Sequence, residues 1–242
     1  MSGQCFRSVV LDCDSTLVAV EGIDLLAEGH EERVAALTRQ AMEGARPLEE
    51  VYGERLTLAA PSRDAVERLG ERYVDALVED AVEVVEALIW LEKEVRIVSG
   101  GLRPPVERLA RAVGLGAEAV AAVDIHFSPD GSYAGYDERS PLVRGDGKID
   151  VIRGWRLPRP SLLVGDGASD LAARPAVDAF VAYAGVERRE AVVAGADHLI
   201  GSRSLAPLLV IATSVEERKR LRRDRRGELL ARGEALFGEA VG

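Results

Sequence analysis

The stretch Val9–Thr16, with the sequence VVLDCDST, joins a short apolar run to a polar loop. Its first three residues are typical of a strand buried on both faces of a parallel sheet. Asp12 and Asp14 then stand just beyond the point where that strand ends. Ligands of open parallel sheets bind beyond the carboxyl ends of the strands. The stretch therefore predicts an α/β fold with a polar site at these two carboxylates.

The same pattern of an apolar run followed by a glycine-rich polar loop occurs twice more. Val95–Val98 is followed by Ser99-Gly100-Gly101, and Leu162–Val164 is followed by GDGASD, residues 165–170. Helical segments separate these runs, which favours a parallel sheet covered by helices on both faces. We therefore predict a Rossmann-like parallel-sheet core. A strand that ends at Ser99 and a hairpin with arms at 119–127 and 132–136 are also expected.

The segment between the first two strands has a different character. From Glu21 to Leu77 the apolar residues recur at helical spacing, and Pro47 and Pro61 divide the segment into helices. It contains no strong strand candidate, so we predict a small helical cap inserted after the first strand. The predicted domains are an α/β core at 1–17 and 80–212, a helical cap at 18–79, and a charged helical tail at 213–242.

The tail contrasts with the rest of the chain in its charge. It holds eight basic and six acidic residues, a net charge of +2. The other residues have a net charge of −12, so that the whole chain has −10. One interpretation is an arm that docks nucleic acid or a partner. The other is a solvated helical segment that packs through apolar residues, and interspersed acids without aromatics favour it. Those packing residues are Val215, Leu221, Leu229 and Phe237.

Composition excludes several classes of protein. In 242 residues, 47% are apolar and 30% are charged, which is typical of a folded globular protein and not of disorder. No apolar run approaches the ~20 residues of a membrane helix, and the N-terminal residues do not resemble a cleaved signal peptide. A net charge of −10 argues against nucleic acid as a partner. With two cysteines, a reduced cytoplasmic setting is the simpler expectation.

The three polar loops bring carboxylates together if their strands are neighbours. Asp12, Asp14, Ser99, Asp166 and Asp170 would then share one crevice. Like charges so close disfavour ionisation unless a cation neutralises them, and Mg²⁺ prefers such hard oxygen ligands together with phosphate. The alternative for Asp12 and Asp14 alone is that they cap the turn after the strand. Three such loops in this order favour a Mg²⁺ site that handles phosphate.

These loops resemble the motifs of the haloacid dehalogenase superfamily. Asp12–Thr16 resembles its first motif, Ser99 its second, and Asp166 with Asp170 its fourth. Within the superfamily the chain is most similar to the phosphoserine phosphatases. Further similarity lies in Val20–Asp24 and in the residues that follow Asp170, and the resemblance extends from about Val9 to Leu209.

The resemblance implies a role for each motif residue. Asp12 would attack phosphorus and form an aspartyl-phosphate, and Asp14 would be the general acid and then the base. Ser99 and the Gly100 amide would hold the phosphoryl oxygens. Mg²⁺ would be bound by the Asp12 carboxylate, the Asp14 backbone carbonyl and the Asp166 carboxylate, with Asp170 in support.

The third motif of the superfamily is a lysine that pairs with the phosphoryl group and the nucleophile. The superfamily usually has lysine followed by glycine there, whereas this chain has Asp146 and Gly147 before Lys148. We expect Lys148 to be the residue that pairs with the phosphoryl group and the nucleophile. Arg144 is the alternative source of positive charge. An exposed lysine at a helix start is the structural alternative.

The cap is expected to select the substrate. The resemblance implies that Glu21 pairs with an ammonium group, that Arg55 clamps a carboxylate, and that Met42 packs beside it. Arg55 is otherwise a surface arginine on a charged helix, with Glu49, Glu50 and Glu54 nearby.

Together these features predict a Mg²⁺-dependent phosphomonoesterase. The expected reaction is hydrolysis of O-phospho-L-serine to L-serine and phosphate, as in serine biosynthesis. The alternatives are phosphatase or phosphotransferase action on another small phosphometabolite, and a catalytically silent regulatory module, against which the intact acidic set argues. The expected partner is a small phosphomonoester in the cytoplasm, with no nucleic acid and no membrane, and a homodimer is considered.

Overall fold

A six-stranded parallel sheet forms the centre of the molecule in the computed structural model, which describes residues 5–239. The first four and last three residues, included in the predicted core and tail, lie outside the described residues. The strands are β1 (Ser8–Leu11), β2 (Glu94–Leu102), β3 (Val120–Val123), β4 (Ile125–Phe127), β5 (Tyr133–Tyr136), β6 (Ser161–Gly165), β7 (Ala179–Tyr183) and β8 (His198–Ile200). The sheet order is β3-β2-β1-β6-β7-β8, and β4 and β5 form a separate hairpin.

The fully buried strand β1 lies at the middle of this sheet and pairs in parallel with β2 and β6. The order changes direction between β1 and β6, so a crevice opens where these two strands end. Leu11 lies level with Val164, so Asp12 comes one residue after this pair and Asp166 two residues after it, both at this switch point. The predicted Rossmann-like α/β class is confirmed.

Four helices follow β1 before the chain returns to the sheet. They are α1 (Gly22–Leu25), α2 (Glu31–Met42), α3 (Leu48–Ala59) and α4 (Arg63–Asp75). Pro47 directly precedes α3, and the Ser62 hydroxyl caps α4 by accepting a hydrogen bond from the Ala65 amide at 3.2 Å. The predicted helical insertion after the first strand is therefore present.

The two connections to this insertion run side by side. The Ala19 amide donates to the Ala76 carbonyl at 2.8 Å, and the Val78 amide donates to the Leu17 carbonyl at 2.9 Å. This narrow neck lies next to the expected boundaries at 18 and 79. The division of the chain into domains stays a prediction.

Helices cover both faces of the sheet. They are α5 (Ala81–Trp90), α6 (Arg103–Ala112), α7 (Gly147–Trp155), α8 (Ala168–Ala173), α9 (Glu190–Gly195), α10 (Pro207–Ala212), α11 (Val215–Arg222) and α12 (Gly227–Glu239). The apolar run of each strand packs against their apolar faces in one buried core. No helix within residues 5–239 is both long enough and apolar enough to cross a membrane.

Two strand predictions need correction. β2 does not end at Ser99 but continues to Leu102, because its pairing with β3 resumes at Leu102 after a register shift beyond Val98. The expected hairpin arm at 119–127 is two strands, of which β3 joins the parallel sheet and β4 pairs with β5. The Asp-Gly turn is confirmed, since the Gly131 amide donates to the Ser128 carbonyl at 2.9 Å with Gly131 at φ +85°.

The tail helices α11 and α12 pack against the body of the molecule. Leu221 and Leu229 are buried and Phe237 packs on the core, as the packing interpretation predicts. Val215 was expected to pack as well, but its exposure is 45%. It is the first residue after the Ser214 cap of α11 and lies with Glu216 on the exposed side of that turn.

Candidate active site

Asp12 is the first residue after β1, and its backbone continues the hydrogen bonding of that strand to β6. Its amide donates to the Val164 carbonyl at 2.9 Å, which fixes the backbone against β6, and its side chain is buried. Asp166 follows β6, and Asp170 lies in the first turn of α8. Carboxylate oxygens of these three aspartates all lie within 4.8 Å of one another. The switch point thus gathers three buried carboxylates.

Basic side chains contact each member of this carboxylate cluster. Lys148 Nζ lies 2.8 Å from Asp12 Oδ1 and 2.6 Å from Asp170 Oδ1. Arg189 forms an ion pair with Asp166, and the Thr16 hydroxyl donates to Asp166 Oδ1 at 2.9 Å. The cluster therefore has defined partners, yet it holds three acids against two bases.

This imbalance is visible in the protonation of the acids. Burial, reinforced by the charge of Asp170, raises the pKa of Asp12 well above its usual range, although Lys148 opposes the shift. Burial also raises the pKa of Asp166 to about 7 against the opposing charge of Arg189. For Lys148, burial alone would lower the pKa, but Asp12 and Asp170 outweigh it and the pKa is raised. The cluster would accept further positive charge.

A divalent cation of the Mg²⁺ type fits this donor set. The side chains that converge offer only carboxylate oxygens, which are the hard ligands that Mg²⁺ and Ca²⁺ select. Two of the three resist ionisation in the protein alone, and a cation beside them would remove that cost. The three-aspartate cluster can therefore hold a metal ion.

Asp14 is not a member of this cluster and has its own partners. Its Oδ1 accepts a hydrogen bond from the Tyr73 hydroxyl and another from the Gly22 amide at 3.2 Å. Burial raises the pKa of Asp14, and these two hydrogen bonds oppose the shift. A Cβ at Gly22 would lie 2.1 Å from the Tyr73 oxygen, so glycine is required for this approach. Asp14 is thus a separately oriented carboxyl with a raised pKa.

The segment Ser99–Gly101, in the last part of β2, lines the same cavity as Asp12. Ser99 is buried, and its Oγ accepts from the Gly101 amide at 2.8 Å. The Gly100 carbonyl accepts from the Tyr52 hydroxyl of α3 at 2.8 Å, which ties the helical insertion to the core. A Cβ at Gly101 would lie 2.9 Å from Asp14 Oδ2. The segment Ser99–Gly101 is therefore packed tightly, and its glycines leave backbone groups open to a ligand in the cavity.

A cavity that is partly open to solvent lies between the insertion and the core. The predicted site residues that line it are Asp12, Asp14, Glu21, Met42, Arg55, Ser99, Gly100 and Lys148. Asp166 and Asp170 lie beneath it in the carboxylate cluster. The structure therefore brings the predicted catalytic and substrate-binding residues to one cavity.

Glu21 and Arg55 occupy the part of this cavity formed by the insertion. Burial, together with the charges of Asp14 and Asp166, raises the pKa of Glu21 to about 8, and the Ser15 hydroxyl donates to it at 2.7 Å. Arg55 is buried rather than on the surface. A carboxyl and a guanidinium thus line the same cavity as Asp12 and Lys148.

The two candidate bases for the phosphate differ sharply in position. The Lys148 side chain is 4% exposed and contacts Asp12, whereas the Arg144 side chain is 45% exposed. Arg144 lines the cavity mouth but pairs with Asp146 at 3.3 Å and Asp150 at 2.7 Å. The geometry favours Lys148.

Sequence reasoning missed several residues that contact the site. Thr16 lies inside the first motif, and its hydroxyl beside Asp166 could have been expected there. Tyr52 and Tyr73 have the apolar helical spacing of core residues, so nothing marks their hydroxyl groups. Arg189 follows β7, 23 residues after Asp166, and no motif signals it.

The chain belongs to the haloacid dehalogenase-like hydrolase family, whose model matches residues 9–174. It is 39% identical over 201 residues to the chloroplastic phosphoserine phosphatase of Arabidopsis thaliana, covering 80% of this chain and 68% of that one. It is 37% identical over 190 residues to the phosphoserine phosphatase of Mus musculus, covering 76% and 84% respectively.

A solved structure agrees with these relatives. The structure of a phospho-aspartyl intermediate analogue of phosphoserine phosphatase superposes with a TM-score of 0.74 at 25% identity, covering 86% of this chain and 99% of that one. The predicted family and the prediction of a phosphoserine phosphatase-like phosphoric monoester hydrolase are confirmed.

Proposed function

We propose that this chain hydrolyses O-phospho-L-serine to L-serine and phosphate through an aspartyl-phosphate, with Mg²⁺ as cofactor. The observation that carries the proposal is the single cavity in which Asp12, contacted by Lys148, faces Glu21 and Arg55. Phosphoserine has a phosphate at one end and an ammonium and a carboxylate at the other. Relatives at 37–39% identity are phosphoserine phosphatases, which supports this substrate.

The chain's own residues suit a resident Mg²⁺. The Asp12 and Asp166 carboxylates and the Asp14 backbone carbonyl would hold it, and Asp170 would support the site through Lys148. When bound, Mg²⁺ supplies positive charge between an anionic nucleophile and an anionic phosphate. The raised pKa values of Asp12 and Asp166 support this assignment, because both acids need added positive charge to ionise.

In the first step, an Asp12 carboxylate oxygen attacks phosphorus while the bond from phosphorus to the serine oxygen breaks. Asp14, whose raised pKa keeps a proton available, donates that proton to the leaving serine oxygen. Lys148 and the Ser99–Gly100 loop face the phosphoryl oxygens and stabilise their charge. The product is L-serine and an aspartyl-phosphate, and a relative's solved structure is of a phospho-aspartyl intermediate analogue.

In the second step, a water molecule attacks the aspartyl-phosphate and restores Asp12. Asp14, now ionised, takes a proton from this water. The helical insertion at 18–79 acts as a cap that covers the cavity and excludes other water during transfer. The hydrogen bond between Tyr52 of α3 and the Gly100 carbonyl supports this role, since it joins the cap to the phosphate-binding loop.

The cap also recognises the amino-acid end of the substrate. Glu21, once ionised, pairs with the ammonium group, and Arg55 pairs with the carboxylate. Met42 packs against the aliphatic part between them. Phosphoethanolamine lacks the carboxylate and sugar phosphates lack both groups, so these phosphomonoesters would bind less well.

A phosphate-release assay with Mg²⁺ tests this function. Phosphoserine, phosphothreonine, phosphoethanolamine and sugar phosphates are compared as substrates, with Asp12→Asn as the inactive control. We expect the highest kcat/KM for phosphoserine. Faster turnover of a sugar phosphate would replace the substrate proposal, and no turnover of any substrate would refute the enzymatic one. The cytoplasmic setting, the homodimer and the absence of a nucleic-acid partner remain predictions.

A further inference from the structure

The Arg55 guanidinium is buried and only partly satisfied by protein partners. One terminal nitrogen lies 3.4 Å from Asp24 Oδ1, while Arg55 Nε is buried and makes no hydrogen bond to any residue between 5 and 239. Arg55 lines the cavity. A buried guanidinium with an unused N–H is incomplete without a further acceptor.

Asp24 lies behind this guanidinium and is itself held in place. It belongs to α1 and is not part of the described cavity wall. The buried Thr38 hydroxyl of α2 contacts the same Asp24 oxygen and also lies 3.1 Å from the Val34 carbonyl. One side chain from each of three cap helices thus forms a Thr38–Asp24–Arg55 chain.

We propose that Asp24, held by Thr38, is a positioning residue that aims Arg55 at the substrate carboxylate. This inference rests on the proposed function, because it names what makes that site select a carboxylate. Asp24 balances the buried Arg55 charge through one terminal nitrogen only, while Arg55 Nε has no acceptor among the described residues and Arg55 lines the cavity. The guanidinium is therefore ordered before the substrate binds.

An arginine fixed in this way favours substrates that have a carboxylate and disfavours those that lack one. A phosphomonoester without a carboxylate leaves the buried Arg55 N–H groups unpaired, which costs binding free energy. If Asp24 were neutral, the guanidinium would lose its fixed partner and adopt other rotamers. Affinity for carboxylate-bearing substrates would then fall, while carboxylate-free substrates would lose little.

The test compares phosphoserine with phosphoethanolamine, which keeps the phosphate and the ammonium group but lacks the carboxylate. For Asp24→Asn we expect KM for phosphoserine to rise about tenfold with kcat within about twofold. For phosphoethanolamine, kcat/KM should change by less than about twofold. In an Arg55→Ala background, Asp24→Asn should have no further effect on phosphoserine, because its target is absent.

Two further variants keep the result interpretable. Thr38→Val should reproduce the phosphoserine effect in weaker form, and Asp64→Asn makes the same chemical change as Asp24→Asn at an exposed position of α4 and should change nothing. Thermal melts of every variant establish that it is folded.

Each outcome separates the two proposals. If wild-type enzyme hydrolyses phosphoserine but Asp24→Asn leaves its KM unchanged, the positioning role is refuted and the function stands. Equal losses on both substrates would make Asp24 a general structural residue and also refute the positioning role. A wild-type enzyme inactive on phosphoserine would refute the proposed function itself, and this inference with it.

Discussion

Lys148 places a positive charge directly against Asp12 and Asp170, at 2.8 and 2.6 Å. In the proposed mechanism this ammonium stabilises the phosphoryl charge. We expect Lys148→Met to lower kcat by about 10² to 10³, the usual loss for a group that stabilises transition-state charge. Phosphate release under saturating phosphoserine measures it.

Arg144→Met is the matched control because it removes the alternative basic side chain. Arg144 is bound to Asp146 and Asp150 on the surface, so its loss should change kcat by no more than about threefold. The opposite ranking of the two variants would transfer the role to Arg144.

Tyr73 provides a second test at the scale of single residues. Its hydroxyl donates to Asp14, and the Gly22 amide is the other donor to that oxygen. We expect Tyr73→Phe to lower kcat about tenfold with little change in KM, because Asp14 keeps its carboxyl group but loses a hydrogen bond that orients it. Tyr133→Phe removes a hydroxyl outside the cavity wall and should be neutral. A larger effect on KM than on kcat would contradict this role.

Single residues were predictable where their position in a motif carries the information. Asp12 and Ser99 directly follow apolar runs and Asp166 comes one glycine later, so their convergence could be expected from the sequence. The contact between Tyr73 and Asp14 spans 59 residues and depends on how α4 packs against the core. Such a contact follows from tertiary structure and leaves no local pattern.

At the scale of elements, the tail helix α11 is anchored by a largely buried ion pair. Lys93 Nζ lies 2.8 Å from Glu217 Oε1, with side chains 2% and 15% exposed. Glu217→Gln leaves the Lys93 charge without its carboxylate, although the Phe6 carbonyl at 2.7 Å remains as an acceptor. We expect a loss of about 2 kcal/mol in the free energy of unfolding, measured by urea denaturation at pH 7.

The stabilisation from the Lys93–Glu217 ion pair should depend on pH. Burial alone would raise the pKa of Glu217, but hydrogen bonds from Lys93 and the Ser214 amide outweigh it and lower the pKa. A lowered pKa means that the stabilisation is complete above the ordinary value of 4.5 and is lost as pH falls through the folded-state pKa. The difference between wild type and Glu217→Gln should therefore shrink below pH 4.5.

Glu216→Gln is the control for this helix. Glu216 pairs with Lys219 at 2.8 Å, but its side chain is 78% exposed. Such surface pairs contribute about 0.5 kcal/mol or less. Equal destabilisation by the two variants would mean that the charge of α11, and not its anchor, stabilises the tail.

Helices with a strong apolar periodicity were predicted well. Strands were predicted less well where pairing with a distant strand determines the sheet to which they belong. Apolar spacing is enough to indicate the cap helices. Whether 120–123 joins the parallel sheet or the hairpin depends on the presence of β2 beside it, which no local pattern reveals. Val215 likewise has the apolar character of a packing residue. It is nevertheless exposed, because it lies on the solvent side of the first turn of α11, directly after the Ser214 cap.

At the scale of the whole molecule, the order of the strands creates the site. β1 and β6 are separated by about 150 residues in the chain, yet they are neighbours, with Asp12 and Asp166 at their adjacent ends. The alternation of strands and helices predicts a parallel sheet but not which strands lie side by side. The carboxylates could be predicted to converge only on the condition that these strands pair.

Metal binding should therefore couple to the stability of the whole fold. Burial raises the pKa of Asp166 to about 7, so the metal-free protein loses stability as pH rises from the ordinary value of 3.8 through 7, where this buried acid must ionise. Mg²⁺ binds the ionised form, so protons compete with it at low pH. We expect a Mg²⁺ concentration of 100 times the Kd at pH 8 to raise Tm by about 5–10 °C at pH 8, and the same Mg²⁺ concentration to raise Tm by much less at pH 5.5, where protons weaken binding.

Scanning calorimetry with Mg²⁺ or with EDTA at the two pH values measures this difference. Asp166→Asn should abolish the Mg²⁺-dependent shift at both pH values, since the amide cannot ionise and binds the cation weakly. Asp178→Asn is the control, because it makes the same chemical change at an aspartate that pairs with Arg159 at 2.7 Å and lies outside the carboxylate cluster. An equal shift in Tm at pH 5.5 and pH 8 would show that Mg²⁺ binds away from Asp166, since only a site that shares this titrating carboxylate makes metal and proton compete.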